Sequence, residues 1–412
     1  MMLKVMNWYK RFAGVKREVK NESKRCVTAG NKRDYMLDSL QDYLCGKYDF
    51  RYNVLSETAE MREKGESDTG YLVVNQRTLN TLCIDARSQG INCWDKDVSR
   101  LLNSRKIADY HPFLAYMENL PEWDGTDRVT ELAQRISHKQ VWTDGFHRWM
   151  LGMAAQWMGR AEECANSVAP LLVSREQGKR KSTFCKMLMP APLLCYYIDK
   201  FSLTSAAACE QKLSLFGLVN LDEFDQYGET KTAALKNLMQ MSSLVFRKAH
   251  RSVFSTLPRV ASFIGTSNHK DLLTDHTGSR RFLCVEVEGE EKIDCSQPQH
   301  EQLFAQLKAE LTAGARYWFT ADEERRIGAS NREFYKQQPE EEVFYRCFRL
   351  PKGGEEFKLY SATSICTLLQ KRFPTAMRGM CPNKFAKSLV AIGAEKVHTM
   401  QGNMYRVVPL KG

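Results

Sequence analysis

Three short apolar runs organise the middle of the chain: 168–173 (Val-Ala-Pro-Leu-Leu-Val), 218–221 (Leu-Val-Asn-Leu) and 260–264 (Val-Ala-Ser-Phe-Ile). Continuous apolar runs of this length, each closed by polar residues, are the pattern of strands buried on both faces of a parallel sheet. Strands and helices alternate from Ala169 to about Val287, which predicts a mainly parallel sheet with helices on both faces. Upstream, 35–44 is amphipathic at helical spacing, 47–55 alternates as a strand does, and the charged stretch 56–69 reads as a loop. Residues 76–87 and 96–103 are helical by spacing, with a Gly90 turn between them. A helix starts at His111-Pro112, where proline suits the first turn, and 145–159 is a strongly apolar helix rich in Trp and Met. Residues 301–318 form a further amphipathic helix, and another starts at Ala321. Near the end, 361–373 and 382–392 read as two helices, followed by a strand at 396–400, a turn at Gly402 and a strand at 404–408.

These patterns divide the 412 residues into a basic N-terminal arm (1–33), an α-rich N-terminal domain (34–110), a core (111–320), a linker helix (321–345) and a basic C-terminal domain (346–412). Two helices followed by a hairpin give that last domain a winged-helix-like character, with Arg378, Lys384 and Lys387 around the second helix where phosphates would be met. The net charge of +11 is uneven. Residues 1–33 carry ten Lys/Arg against two acids and 346–412 twelve against three, which leaves the middle acidic. Basic ends around an acidic centre point to a polyanion partner.

The thirteen cysteines are scattered without C-x-x-C spacing, which predicts neither a zinc site nor a redox dithiol and favours a reducing cytoplasm. No apolar run is long enough to cross a membrane, and the charged N-terminus lacks the hydrophobic segment of a signal peptide.

Chemistry concentrates behind the three apolar runs. The first leads into Ser174-Arg-Glu-Gln-Gly-Lys-Arg-Lys-Ser-Thr183 and then a helix, which is how a phosphate-binding loop is built. Against G-x-x-x-x-G-K-[ST], Lys181 and Ser182 fall where the phosphate lysine and the magnesium hydroxyl belong. Arg175 and Arg180 occupy both glycine positions, so only Gly178 supplies backbone freedom. Gln177, Gly178, Lys179, Arg180, Lys181, Ser182 and Thr183 are the expected nucleotide contacts. The second run ends in Asp222-Glu223, a Walker-B pattern in which Asp222 holds magnesium and Glu223 polarises the attacking water. The third ends at Asn268, suited to reading a terminal phosphate. Beyond it, Arg280 or Arg281 is the candidate to compensate charge on the transferred group. The cofactors expected are therefore ATP and Mg2+, with Ser182 and Asp222 as the metal ligands.

The stretch 111–128 (His-Pro-Phe-Leu-Ala-Tyr-Met-Glu-Asn-Leu-Pro-Glu-Trp-Asp-Gly-Thr-Asp-Arg), the loop Gln177-Gly-x-x-Lys-Ser-Thr-Phe184, Asp222-Glu-Phe-Asp225 and the run from Thr266-Ser-Asn268 to Thr277-Gly-Ser-Arg-Arg-Phe282 resemble the virulence-associated E family of phage and mobile-element proteins. That family is similar to superfamily-3 helicases and poxvirus-type primase-helicases, and the basic tail looks like the extra C-terminal domain of Bacteroides-type members. The resemblance implies an AAA+-like ATPase that assembles as a ring, with nucleotide between subunits and an arginine given by the neighbour. It also implies DNA contacts at Lys236, Arg247, Lys248 and Arg251, and a role in replicating a mobile element, with any primase supplied separately. Two other classes compete. A DNA-binding assembly module with a degenerate loop differs only in whether ATP is hydrolysed, and a P-loop kinase would need an acceptor pocket and lid that the sequence does not display.

Overall fold

The computed structural model describes residues 32–65, 70–161, 164–203, 205–246, 255–273, 279–335, 339–352, 354–400 and 402–410. Arg247, Lys248, Arg251 and the N-terminal arm up to residue 31 lie outside the described residues.

At the centre is a five-stranded, all-parallel sheet of β5 (Ala169–Val173), β6 (Tyr197–Ile198), β7 (Leu218–Leu221), β10 (Ser262–Ser267) and β11 (Phe282–Glu286), in spatial order β11-β5-β10-β7-β6. The alternation of side chains across a strand splits its residues between two cores. Leu172, Leu218, Ile264, Leu283 and Val285 join the cluster formed with helix α6 (Gln140–Trp157) and helix α10 (His300–Thr312). Leu171, Val173, Val219, Leu221, Phe263 and Phe282 face the other cluster, with α8 (Ala206–Leu215) and α9 (Glu229–Gln240). The apolar helix read at 145–159 is α6; Trp142, Phe146, Trp149 and Trp157 are all buried in it. An antiparallel pair, β8 (Ser243–Phe246) and β9 (Ser255–Pro258), stands apart from the sheet between α9 and β10.

The region before the core adds a sheet to its helices. Strands β1 (Tyr48–Asn53), β2 (Thr58–Glu63), β3 (Leu72–Val73) and β4 (Asp109–Tyr110) form a sheet in order β3-β2-β1-β4. Helices α1 (Lys32–Lys47), α2 (Gln76–Ser88) and α3 (Asp95–Leu102) pack with it around their own core. The stretch read as a loop contains β2, because its charges are satisfied across the strand pair. Arg51 lies opposite Glu60 and Asp49 opposite Arg62, with ion pairs of 2.6 and 3.1 Å. After the core, 321–345 holds two helices, α11 (Ala321–Ser330) and the start of α12 (Pro339–Cys347), where one linker helix was expected. The last region pairs α13 (Ala362–Arg372) and α14 (Pro382–Ala391) with the short strands β12 (Phe348–Arg349), β13 (Lys358–Ser361), β14 (Lys396–Thr399) and β15 (Gly402–Pro409), over a separate core. Among the described residues, no helix is long and apolar enough to cross a membrane.

His111 caps α4 (Pro112–Glu118), its Nδ1 accepting the Leu114 N–H at 3.3 Å. Only 9% of the residue is exposed, and burial lowers its pKa from the ordinary 6.5 to about 4. The unfolded chain therefore binds a proton that the folded chain refuses between these values. Stability conferred by the neutral ring is present above pH 6.5 and is lost as pH falls toward 4, by about 2–3 kcal/mol. Urea denaturation at pH 7 and pH 4.5 should show this loss, and His111→Asn, which caps without titrating, should show that much less of it.

Candidate nucleotide site

Parallel strands deliver their carboxyl ends to one edge of a sheet, where open α/β folds place their ligands. Here Ser267 of β10 is level with Val173 of β5, and Gly265 with Leu221 of β7. The residues following all three strands therefore meet. The loop after β5 turns at Gly178, with φ of +79°, and enters α7 (Lys181–Met187) through Arg180, with φ of +64°. Arg180 thus adopts the left-handed conformation that the missing glycine would take. Glu223 is left-handed as well, at φ +51°, and among the described non-glycine residues only Glu57 shares this property. Such backbone costs about 1–3 kcal/mol per residue and clusters at functional sites.

The side chains converge closely. Lys181 is 7% exposed; its Nζ donates to Asn268 Oδ1 at 2.9 Å and to the Ser174 carbonyl at 3.3 Å. Burial lowers its pKa, and Asp222 and Asp225 partly restore the charged form. The Ser182 hydroxyl donates to Asp222 Oδ1 at 2.7 Å, and Thr266 donates to the same oxygen at 2.5 Å. Gln226 Nε2 holds Glu223 Oε2 at 2.6 Å, and the Ser267 hydroxyl donates to Asp225 at 2.9 Å. A cavity of about 410 Å³ opens beside the acids, bordered by Asp222, Glu223, Lys200 and Lys231. An alcohol and a carboxylate within hydrogen-bond reach are the hard oxygen donors that Mg2+ takes while keeping waters and phosphate oxygens, so Ser182 and Asp222 fit that ion.

Of the other expected residues, some flank these groups and some fall away from them. Gln177, Arg175 and Thr183 are exposed on the loop and the first turn of α7. Lys179 does not face the site. Its ammonium is buried, donating to the carbonyls of Gly289 (3.1 Å), Glu290 and Glu291 (3.4 Å), and pairs with Glu176 at 2.9 Å. It therefore fastens the loop to the chain beyond β11. Arg280 and Arg281 precede Phe282, which is level with Ala169 at the opposite end of β5. The length of β5 lies between them and the carboxyl edge of the sheet, and Arg280 pairs with Glu324 at 3.0 Å. Lys236 is 9% exposed with its ammonium over the Phe282 ring, so it offers no surface to DNA in this structure. Arg378, Lys384 and Lys387 are exposed on the C-terminal domain. Thr266 and Gln226 were not anticipated. The first was legible, since it lies two residues before Asn268 at the carboxyl end of β10.

Fold and site together define an α/β protein whose parallel sheet gathers a buried lysine, hydroxyls and carboxylates at its carboxyl edge. A virulence-associated protein E-like domain matches residues 117–336, more than half of the chain, and the protein belongs to that family. Residues 337–407 match a domain of unknown function from B. Theta. No curated protein matches. Among solved structures, the apo C-terminal region of NrS-1 is similar at 11% identity, covering 92% of this chain and 100% of that one with a TM-score of 0.43. An A-form apo structure of the same region gives 10% identity, 91% and 99% coverage, and a TM-score of 0.44.

Proposed function

We propose that this chain is an ATP-dependent helicase or translocase-like ATPase, with a P-loop AAA+-like core, that acts on DNA in replication of a phage or mobile element. The observation that carries this reading is the convergence of Lys181, Ser182, Asp222 and Asn268 at the carboxyl ends of three parallel strands, with Glu223 strained beside them. Lys181 and the first turn of α7 would receive the β- and γ-phosphates. Ser182 and Asp222 would hold Mg2+, which neutralises charge on the phosphates when bound. Glu223, with its carboxylate positioned by Gln226, would orient the attacking water. Asn268 already bonds the lysine and would exchange that contact for the γ-phosphate. Because Arg280 and Arg281 lie at the far end of the sheet, either would act only on the nucleotide of a neighbouring copy, as a ring allows. The C-terminal helix pair with its hairpin, read as winged-helix-like, would add DNA contacts through Arg378, Lys384 and Lys387.

The test is ATP hydrolysis by the full chain in Mg2+, with and without single-stranded DNA. DNA-stimulated turnover is expected. No turnover with DNA binding retained would favour the second reading, a binding module with a degenerate loop. A specific observation favours that alternative: arginine stands at φ +64° where a P-loop carries glycine. Arg180→Gly should accordingly raise stability by about 1 kcal/mol in chemical denaturation, by removing left-handed strain. It should not lower turnover if the backbone at this position, rather than the guanidinium, serves the phosphates.

A further inference from the structure

The N-terminal domain carries a polar groove whose reading does not depend on the ATP proposal. Helices α2 and α3 form a pair joined by six residues, with the turn made at Gly90 (φ +82°). They bury Leu82, Cys83 and Ala86 of α2 against Val98, Leu101 and Leu102 of α3. This apolar seam fixes which face of α3 points outward. That face is Lys96, Ser99, Arg100 and Asn103, the i, i+3, i+4, i+7 spacing of one helical stripe. Together with Gln76 at the start of α2, these residues line an open groove of about 440 Å³. The stripe spans about 10 Å of helix, the rise of about three base pairs.

The chemistry along this groove is that of hydrogen-bond donors. Lys96 and Arg100 supply cations, and Gln76 and Asn103 supply amides, the side chains that read base edges in a major groove. Asp95 is the one acid on the groove wall. Asp97 is turned inward, accepting the Trp94 N–H at 3.1 Å, and holds Arg100 at 3.2 Å in a pair 61% exposed on the arginine side. The guanidinium end of this pair is solvated, so Arg100 can turn toward another partner. Arg77 is exposed on α2 and Arg105 in the turn after α3, and Trp94, 63% exposed, stands at the head of α3 with the Arg87 guanidinium 5.0 Å from its ring. Such cations flank a groove-seated helix where phosphates pass.

We propose that α2 and α3 form a helix-turn-helix surface that docks on duplex DNA, with α3 entering the major groove through Lys96, Arg100 and Asn103. Duplex DNA is favoured over a protein partner by the run of donors with a single acid on the groove wall. It is favoured over a single strand because the groove presents a polar helix stripe rather than a row of aromatic platforms.

The test is fluorescence anisotropy of the full chain with a labelled duplex of two helical turns and with its single strand, across a salt series. Lys96→Glu with Arg100→Glu should weaken duplex binding about tenfold or more. It should make the slope of log K against log salt shallower, since an interface with two fewer cations releases fewer counterions. Lys96→Ala with Arg100→Ala, which spares α3 the charge reversal, should move both readouts in the same direction. ATP hydrolysis without DNA should remain at the wild-type level in both variants, so a failed ATPase assay of the wild type would leave this result standing. Unchanged duplex affinity and salt slope in a variant that melts like wild type would overturn the proposal. So would a loss confined to the single strand.

Discussion

Lys181→Ala should lower DNA-stimulated ATP hydrolysis by at least about 100-fold while leaving the protein as stable as wild type or more so. Removing one preorganised charge from a site that stabilises a transferring phosphoryl group costs about 3–4 kcal/mol of barrier. The expectation for stability follows from the environment of the ammonium. It is 7% exposed, and burial lowers its pKa, so the fold holds this charge at a disadvantage. Its two bonds go to Asn268 Oδ1 and the Ser174 carbonyl, neither of which is charged. A buried cation kept on such terms is poorly explained by stability and well explained by a phosphate that arrives later. Steady-state hydrolysis and thermal melting of the same preparation check both halves. Turnover at the wild-type level in Lys181→Ala would remove the lysine from the site. A large drop in melting temperature would show that its role is to hold the loop.

The parts of this architecture that were legible in the sequence share one property: they are set by local pattern. The runs at 168–173, 218–221 and 260–264 mark the strands Ala169–Val173, Leu218–Leu221 and Ser262–Ser267, which are buried on both faces, and apolar continuity reports that directly. The C-terminal helices read at 361–373 and 382–392 appear at Ala362–Arg372 and Pro382–Ala391, because a Ser361 N-cap and a first-turn Pro382 mark their starts. Strand β2 was missed because its Glu60 and Arg62 are stabilised by partners nine and thirteen residues away, which no window over the strand itself contains. The site divides in the same way. Lys181, Ser182, Asp222, Glu223 and Asn268 were grouped because each follows a strand, and parallel pairing alone brings such residues to one edge. Lys179 and Lys236 were misplaced because their directions depend on the segment 289–291 and on Phe282. No spacing rule encodes those contacts.

A second buried cation should behave in the opposite way to Lys181. Arg259→Met should destabilise the protein by about 3–5 kcal/mol, and Arg259→Lys by nearly as much. The guanidinium is 2% exposed, and none of the hydrogen bonds described for it goes to a carboxylate. Its Nε donates to the Ala261 carbonyl at 2.7 Å, Nη1 to Met239 at 2.6 Å and to Leu238 and Met241 at 3.3 Å, and Nη2 to Asn166 at 2.7 Å. Burial lowers its pKa to about 9, still high enough to keep it charged at neutral pH. What compensates the charge is the carboxyl end of α9, whose carbonyls carry the negative end of the helix dipole, together with the Phe263 ring 5.3 Å away. Methionine fills much of the volume but takes a donor from each of these carbonyls; Ala261 keeps the Gln156 amide at 2.8 Å and Leu238 the Met241 N–H, and each carbonyl left with none costs about 1–3 kcal/mol before relaxation. Lysine keeps the charge but cannot reach three separate segments with one ammonium. Those segments are the end of α9, the start of β10 and the chain leading into β5, so this one side chain ties together two strands that carry the site. Chemical denaturation measures the loss, and the midpoint should fall with little change in slope. Turnover per folded molecule should stay near wild type, because Arg259 sits before the amino end of β10, whereas the candidate site lies at its carboxyl end. A variant as stable as wild type would mean that the carbonyls find other donors, and that the buried charge costs as much as its bonds return.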